Sequence, residues 1–150
     1  MSTPLREAAL AAIASRLMMS LPGTTIERAR RAQVETDTET LPRLVVRGEE
    51  WEADTSQEPG QTHWTIGFSV SGFARGASDL AAEQALSALH AQTVAALASW
   101  TPDTAGLGDV VEQGAEFRLY DADESAKPAG EFVARFSLLA IGPSASLYAP

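Results

Sequence analysis

The chain has no cysteine among its 150 residues. Disulfides, thiolate metal sites and cysteine nucleophiles are therefore excluded. Basic residues are also scarce: 11 lysines and arginines stand against 20 aspartates and glutamates, giving a formal net charge of −9. Phosphate backbones are bound by cations that displace counterions, so this balance argues against a general affinity for nucleic acid. Only Lys127 is a lysine, which reads as coding bias rather than selection for guanidinium groups. There are two histidines, His63 and His90, too few for most metal sites, and their expected settings do not converge. No apolar run is long enough to span a bilayer. Near the N-terminus, Arg6, Glu7 and Arg16 interrupt the apolar residues, which does not fit a secretory leader and points to cytoplasmic synthesis.

Catalytic signatures are missing as well. Gly72-Phe73-Ala74-Arg75-Gly76 and Gly106-Leu107-Gly108 lack both the full glycine spacing and the following lysine of a phosphate loop. No serine sits in a nucleophile elbow. The acidic turn at Asp121, Asp123 and Glu124 lacks the glycine and the twelfth-position glutamate of a calcium loop. No catalytic residue, cofactor or metal is expected.

What the chain does have is clear periodicity. In His63 to Ser71, the residues Trp64, Ile66, Phe68 and Val70 share one parity and His63, Thr65, Gly67, Ser69 and Ser71 the other, as in a strand with one buried face. After Gly72 and Gly76, read here as a turn, the period changes: Ala82, Leu86, Leu89, Thr93, Ala96, Leu97 and Trp100 share one arc of a helix, with Ser78 or Asp79 as N-cap. A first helix is expected from Thr3 as N-cap and Pro4 as first helical residue to about Ser20. Its apolar seam is Leu5, Ala9, Ile13, Leu17 and Leu21, and Pro22-Gly23 ends it. Thr24 to Arg31 alternates weakly, and Gln33 to Thr40 has the composition of a mobile loop. Leu44 and Val46 mark a core face whose reverse carries Arg43, Val45 and Arg47. Glu49 to Gln61 reads as a hairpin extension with a flexible tip. A strand follows around Val110 to Tyr120, and in the last strand Phe132, Ala134, Phe136, Leu138 and Ala140 share a face. The fold class is α+β: one domain over residues 1–150, with an antiparallel or mixed sheet of four to five strands and two main helices on one face.

Two surface features stand out. Ala88, Ala91, Ala95 and Ala98 form a small-residue stripe opposite the leucine face of the long helix, and Ala8, Ala11, Ala12 and Ala14 enrich the first helix. The two helices either pack on each other through these residues or present them to a neighbouring subunit. The second feature is charge. Arg28, Arg30, Arg31, Arg43 and Arg47 cluster in sequence opposite acidic segments at Glu49, Glu50, Glu52 and Asp54 and at Asp121 to Glu124. Of these, Arg28, Arg30, Arg31, Arg43, Arg47, Glu49, Glu50, Glu52, Asp121, Asp123 and Glu124, together with Trp51, are the candidate subunit or partner interface. Opposite charges on two different patches suit the heterologous contacts of a closed ring, and charge reversal at Arg43 or Arg47 is expected to cause loss of function.

The layout resembles the tail terminator, or tail completion, proteins of long-tailed bacteriophages, a family of minor tail proteins. The matching features are Leu41-Pro42-Arg43-Leu44-Val45-Val46, the strand Trp64 to Gly72 running into the helix Leu80 to Leu97, and a closing hairpin of Phe117 to Tyr120 with Phe132 to Ile141. The resemblance implies a non-enzymatic virion protein at the head-proximal end of the tail. There it would form a ring, usually of six copies, that seats on the tail tube protein, stops its polymerisation and presents a surface to the head–tail connector or head completion protein. It also implies loops at Gln33 to Thr40 and Glu49 to Gln61 that order on binding, and an acidic lumen past which DNA moves without specific binding. Another head–tail connector or tube component remains open. So does a small-ligand-binding or enzymatic α+β domain, for which the sheet parity offers only His63, Thr65, Ser69 and Arg135.

Overall fold

Strict alternation in two segments becomes the two longest strands of the protein. The computed structural model describes residues 3–98, 100–120 and 127–148. Its elements are α1 (Leu5–Ser20), β1 (Thr25–Arg28), β2 (Arg43–Asp54), β3 (Gln61–Arg75), α2 (Asp79–Leu97), β4 (Leu107–Leu119) and β5 (Ala129–Pro143). They form one five-stranded mixed sheet of order β1-β2-β3-β5-β4, in which only the β1–β2 pair is parallel. The expected α+β class is what the chain adopts.

β3 and β5 pair antiparallel from Gln61 opposite Pro143 to Arg75 opposite Ala129, placing Phe68 against Phe136 and Ile66 against Leu138. The Phe68 and Phe136 rings stack with centroids 5.3 Å apart. This face and Leu44 and Val46 of β2 join Leu5, Ile13 and Leu17 of α1 and Leu86, Leu89 and Leu97 of α2 in a single apolar core. Each such large side chain contributes roughly 1.5–3 kcal/mol on burial. Ser78 caps α2 by accepting a 3.1 Å hydrogen bond from the Ala81 N–H.

Several expectations need correction. α1 begins at Leu5, with Pro4 in the N-cap position and no side-chain cap. The Leu5 N–H is instead satisfied by the Leu147 carbonyl at 2.6 Å, and Pro4 bridges to Tyr148. Local sequence carries no trace of a cap supplied from the far end of the chain. Gly72 is not in a turn but deep in β3. A Cβ there would overlap the Phe132 ring, which crosses the strand at that point. The turn is at Gly76, where a Cβ would run into the first turn of α2. The reverse face of β2 is covered rather than open: Val45 and Phe73 are buried with Val34, which comes from the segment expected to be a mobile loop. Finally, Ala88, Ala91, Ala95 and Ala98 are all exposed, so the helices do not meet through that stripe. Their contact includes the Arg16 Nε, which donates to the Ala96 carbonyl at 2.9 Å while its guanidinium lies over Trp100.

Gly72→Ala should destabilise the fold by about 1–3 kcal/mol through overpacking against a ring that is itself fully buried. Urea unfolding of the purified variant checks this, and an unchanged midpoint would contradict the packing described.

Candidate functional site

The clustered arginines sit where the sheet edge turns away from its shortest strand. β1 pairs with β2 only as far as Arg28 opposite Val46. Ala29, at φ 56°, then ends the strand, its N–H donating to the Val46 carbonyl at 2.9 Å, and the chain passes into Arg30 and Arg31. Beyond this point β2 runs on to Asp54 with β3 as its partner.

The structure brings the arginines together but gives most of them partners within the subunit. Arg30 grips Glu39 with both Nη atoms, at 2.5 and 2.7 Å, and reaches Glu27 at 3.0 Å. Arg43 is only 8% exposed; its Nη1 lies 2.9 Å from Glu27 and its Nε donates to the Thr40 carbonyl. Arg28 pairs with Glu7 at 3.0 Å. Arg47 donates to the Arg30 carbonyl and to Ser71 Oγ, both at 3.0 Å. Arg75 donates to the Glu39 carbonyl at 2.9 Å. Glu27 and Glu39 thus each serve two arginines and tie the 33–42 segment down over Val45 and Phe73. The Glu39 carboxyl is held at about 2 by the Arg30 guanidinium first and by the Glu35 N–H second. Arg30 is correspondingly raised, chiefly by Glu39.

Sequence reasoning missed Glu7, Glu27 and Glu39. Glu27 lay within the weakly alternating segment and Glu39 within a polar run, and nothing local marks either as a shared partner. The acidic residues that were singled out lie elsewhere. Glu49, Glu50 and Glu52 are exposed on the far part of β2, the first two within an irregularity between Gly48 and Trp51 and the third past it, and none of them pairs with an arginine among the described residues. Trp51 is half-buried and stacked on Trp64 at 6.2 Å, packing against the core. Asp54 accepts bonds from Ser56 and Gln57 at the hairpin tip, and the Gln57 amide leads in lowering its carboxyl to about 2. Asp121, Asp123 and Glu124 lie outside the described residues.

A cavity of about 430 Å³ opens between α1, the end of β1 and β2, with Arg6, Arg28, Arg30, Arg31 and Arg47 on its walls and Glu7 as the one carboxylate among the described residues that line it. A second, of about 340 Å³, lies over the outer sheet face and includes Thr65 and Arg135 beside Glu49, Glu50 and Glu52. His63 and Ser69 do not line it, so the four polar groups considered for a small ligand do not converge. Several large apolar side chains are exposed, among them Val111, Phe117 and Leu119 on the edge strand β4 and Leu139 and Ile141 on β5. No described helix is long and apolar enough to cross a membrane.

Neither family models nor curated proteins give a match to this sequence. Among solved structures, a chain in the virion of a native gene transfer agent particle has the same fold, with a TM-score of 0.56 at 18% identity. The correspondence covers 93% of this chain and 96% of that one. At this identity, what the two demonstrably share is the fold.

Two consequences can be measured. Because Glu39 titrates below its ordinary 4.5 in the folded chain, its ionised form stabilises the fold above that value, and the contribution is lost as pH falls toward about 2. Glu39→Gln should therefore be less stable at neutral pH and show a flatter stability profile between about pH 4.5 and 2. Urea midpoints across that range test this, and a Glu39→Gln profile as steep as the parent's would contradict it. Arg43→Glu sets a third carboxylate beside Glu27 and Glu39 at a buried position and should cost about 3 kcal/mol. Thermal melts should register that loss, so reversal at Arg43 tests folding before it tests assembly.

Proposed function

We propose that this chain is a structural protein of a phage-like virion, and specifically a tail terminator. It forms a ring of about six copies on the head-proximal end of the tail tube, halts tube polymerisation and offers its other face to a head–tail connector or head completion protein. The observation that carries this reading is the end-to-end fold similarity to a chain of a virion particle, which leaves almost no part of either chain unmatched. It is supported by the exposed Val111, Phe117 and Leu119 on an edge strand, since apolar side chains left on an unpaired edge mark surfaces that another chain covers. The function is one of contacts rather than chemistry, and of the four polar groups considered for a small ligand only Thr65 and Arg135 line the outer cavity. In this reading Glu49, Glu50, Glu52 and the arginine-rich edge at Arg28, Arg30, Arg31, Arg43 and Arg47 lie at or near subunit or partner contacts. Trp51, packed on Trp64, holds the strand that carries the acidic residues, and Asp121, Asp123 and Glu124 belong to the same proposed set.

The test is polymerisation of the cognate tail tube protein followed by light scattering. Adding this chain at far below one copy per tube subunit should stop elongation, because a terminator acts only at tube ends. Elongation that continues unchanged with the chain in excess would sink the terminator role, and incorporation along the tube wall would make it a tube component instead.

A further inference from the structure

Five of the 11 basic residues of this acidic protein line one cavity, and three of them are not neutralised there. Arg28 and Arg30 are paired with Glu7, Glu27 and Glu39. Among the described residues, no carboxylate lies within ion-pair distance of Arg6, Arg31 or Arg47. Arg47 has only neutral acceptors, the Arg30 carbonyl and the Ser71 hydroxyl. Arg6 lies flat against β2, its guanidinium occupying the space that a Cβ on Gly48 would fill, so the glycine lets a cation line the cavity floor. Three arginines without a carboxylate partner among the described residues line about 430 Å³ and make a site for carboxylates.

The same chain carries the complementary element. Glu52 and Glu58 are exposed on the β2–β3 hairpin and form no ion pair among the described residues. Gly48 faces Phe68 and Glu52 faces Thr65, three residues apart on β3, so Glu52 stands about 10 Å beyond Gly48, and Glu58 at the hairpin end lies farther still. Neither carboxylate lines the arginine cavity of its own subunit, Glu52 lining the second cavity instead, and both are exposed where another copy can meet them. We infer that the Arg6–Arg31–Arg47 cavity receives the acidic β2–β3 hairpin of a second copy of this chain. The contact joins two different patches, so it is heterologous, and repeated around an axis it closes a ring. It rests on the assembly reading above and deepens it by naming the two surfaces that meet. The cations paired internally hold the fold, while the unpaired ones select the neighbour and its direction.

The test is a charge swap read by sedimentation of the 150-residue chain over a concentration series at low salt. The double variant Arg6→Glu/Arg31→Glu and the hairpin variant Glu52→Arg/Glu58→Arg should each weaken self-association by about tenfold or more, and the combination of all four should restore most of it. Arg47 is left in place because it also bonds within the subunit, and thermal melts confirm that the variants remain folded. Since the chain has no cysteine of its own, an Arg31→Cys/Glu52→Cys variant provides a second readout: mild oxidation should give a ladder of disulfide-linked copies. Oligomers indifferent to both reversals, with no ladder, would overturn the docking while leaving the assembly reading in place. A chain that stays monomeric at every concentration would also overturn it, and tube termination then decides the assembly reading separately.

Discussion

The antiparallel pairing of β3 with β5 is the constraint on which the rest of the structure depends. Side chains alternate between faces, so a slip of one residue in this pairing would carry Trp64, Ile66, Phe68 and Val70 from the core to the opposite face of the sheet. The register is fixed by matched shapes: Phe68 stacks on Phe136, and Phe132 lies across the gap that Gly72 leaves. Once these strands are joined, α2 follows directly from the end of β3 and covers the apolar face beside α1. β2 and β4 are then placed on the two sides of the central pair.

A second constraint acts on the polar side of the molecule. A strongly acidic chain is short of cations, and much of its supply near β1 is spent internally: Glu27 and Glu39 each bind both Arg30 and Arg43, and the 33–42 segment is drawn over Val45 and Phe73. The aliphatic stems of buried arginines also cover strand surface while their heads reach carboxylates. Arginine suits this use because one guanidinium can serve two carboxylates at fixed angles, which a lysine ammonium does less well. The cations left over lie together in one cavity, which turns a matter of composition into one of geometry.

Period-two and helical patterns were readable wherever one face met the core. The buried residues of α2, and the alternating face of β5 from Phe132 to Ala140, lie where their spacing indicates. What was not readable depends on contacts between distant parts of the chain. The Leu147 carbonyl caps α1 from the other end of the sequence, and Gly72 looks like a turn residue until the Phe132 ring is placed on it. Val34 is one apolar residue in a polar run, too little to signal a second small core, yet that core orders the loop and covers the reverse face of β2. The arginine cluster was visible in sequence, but its carboxylate partners were not. Glu49, Glu50 and Glu52 are nearer in sequence to Arg47, yet an extended strand carries them away from the cluster, while Glu7 and Glu39 are brought back by the fold.

The proposed role of an assembly joint calls for a rigid body and edges that others complete. The wide β3–β5 core supplies the first, and the edge strand β4 with its exposed apolar side chains, together with the uncompensated arginine cavity, supplies the second. The most direct measurement of this proposed role is a cryo-electron microscopy reconstruction of phage-like particles assembled in the presence of the chain, with the chain labelled at one terminus. A terminator gives a single ring of this fold at the head-proximal end of the tail. The same density repeated along the tube, or absent from the particle, would contradict it.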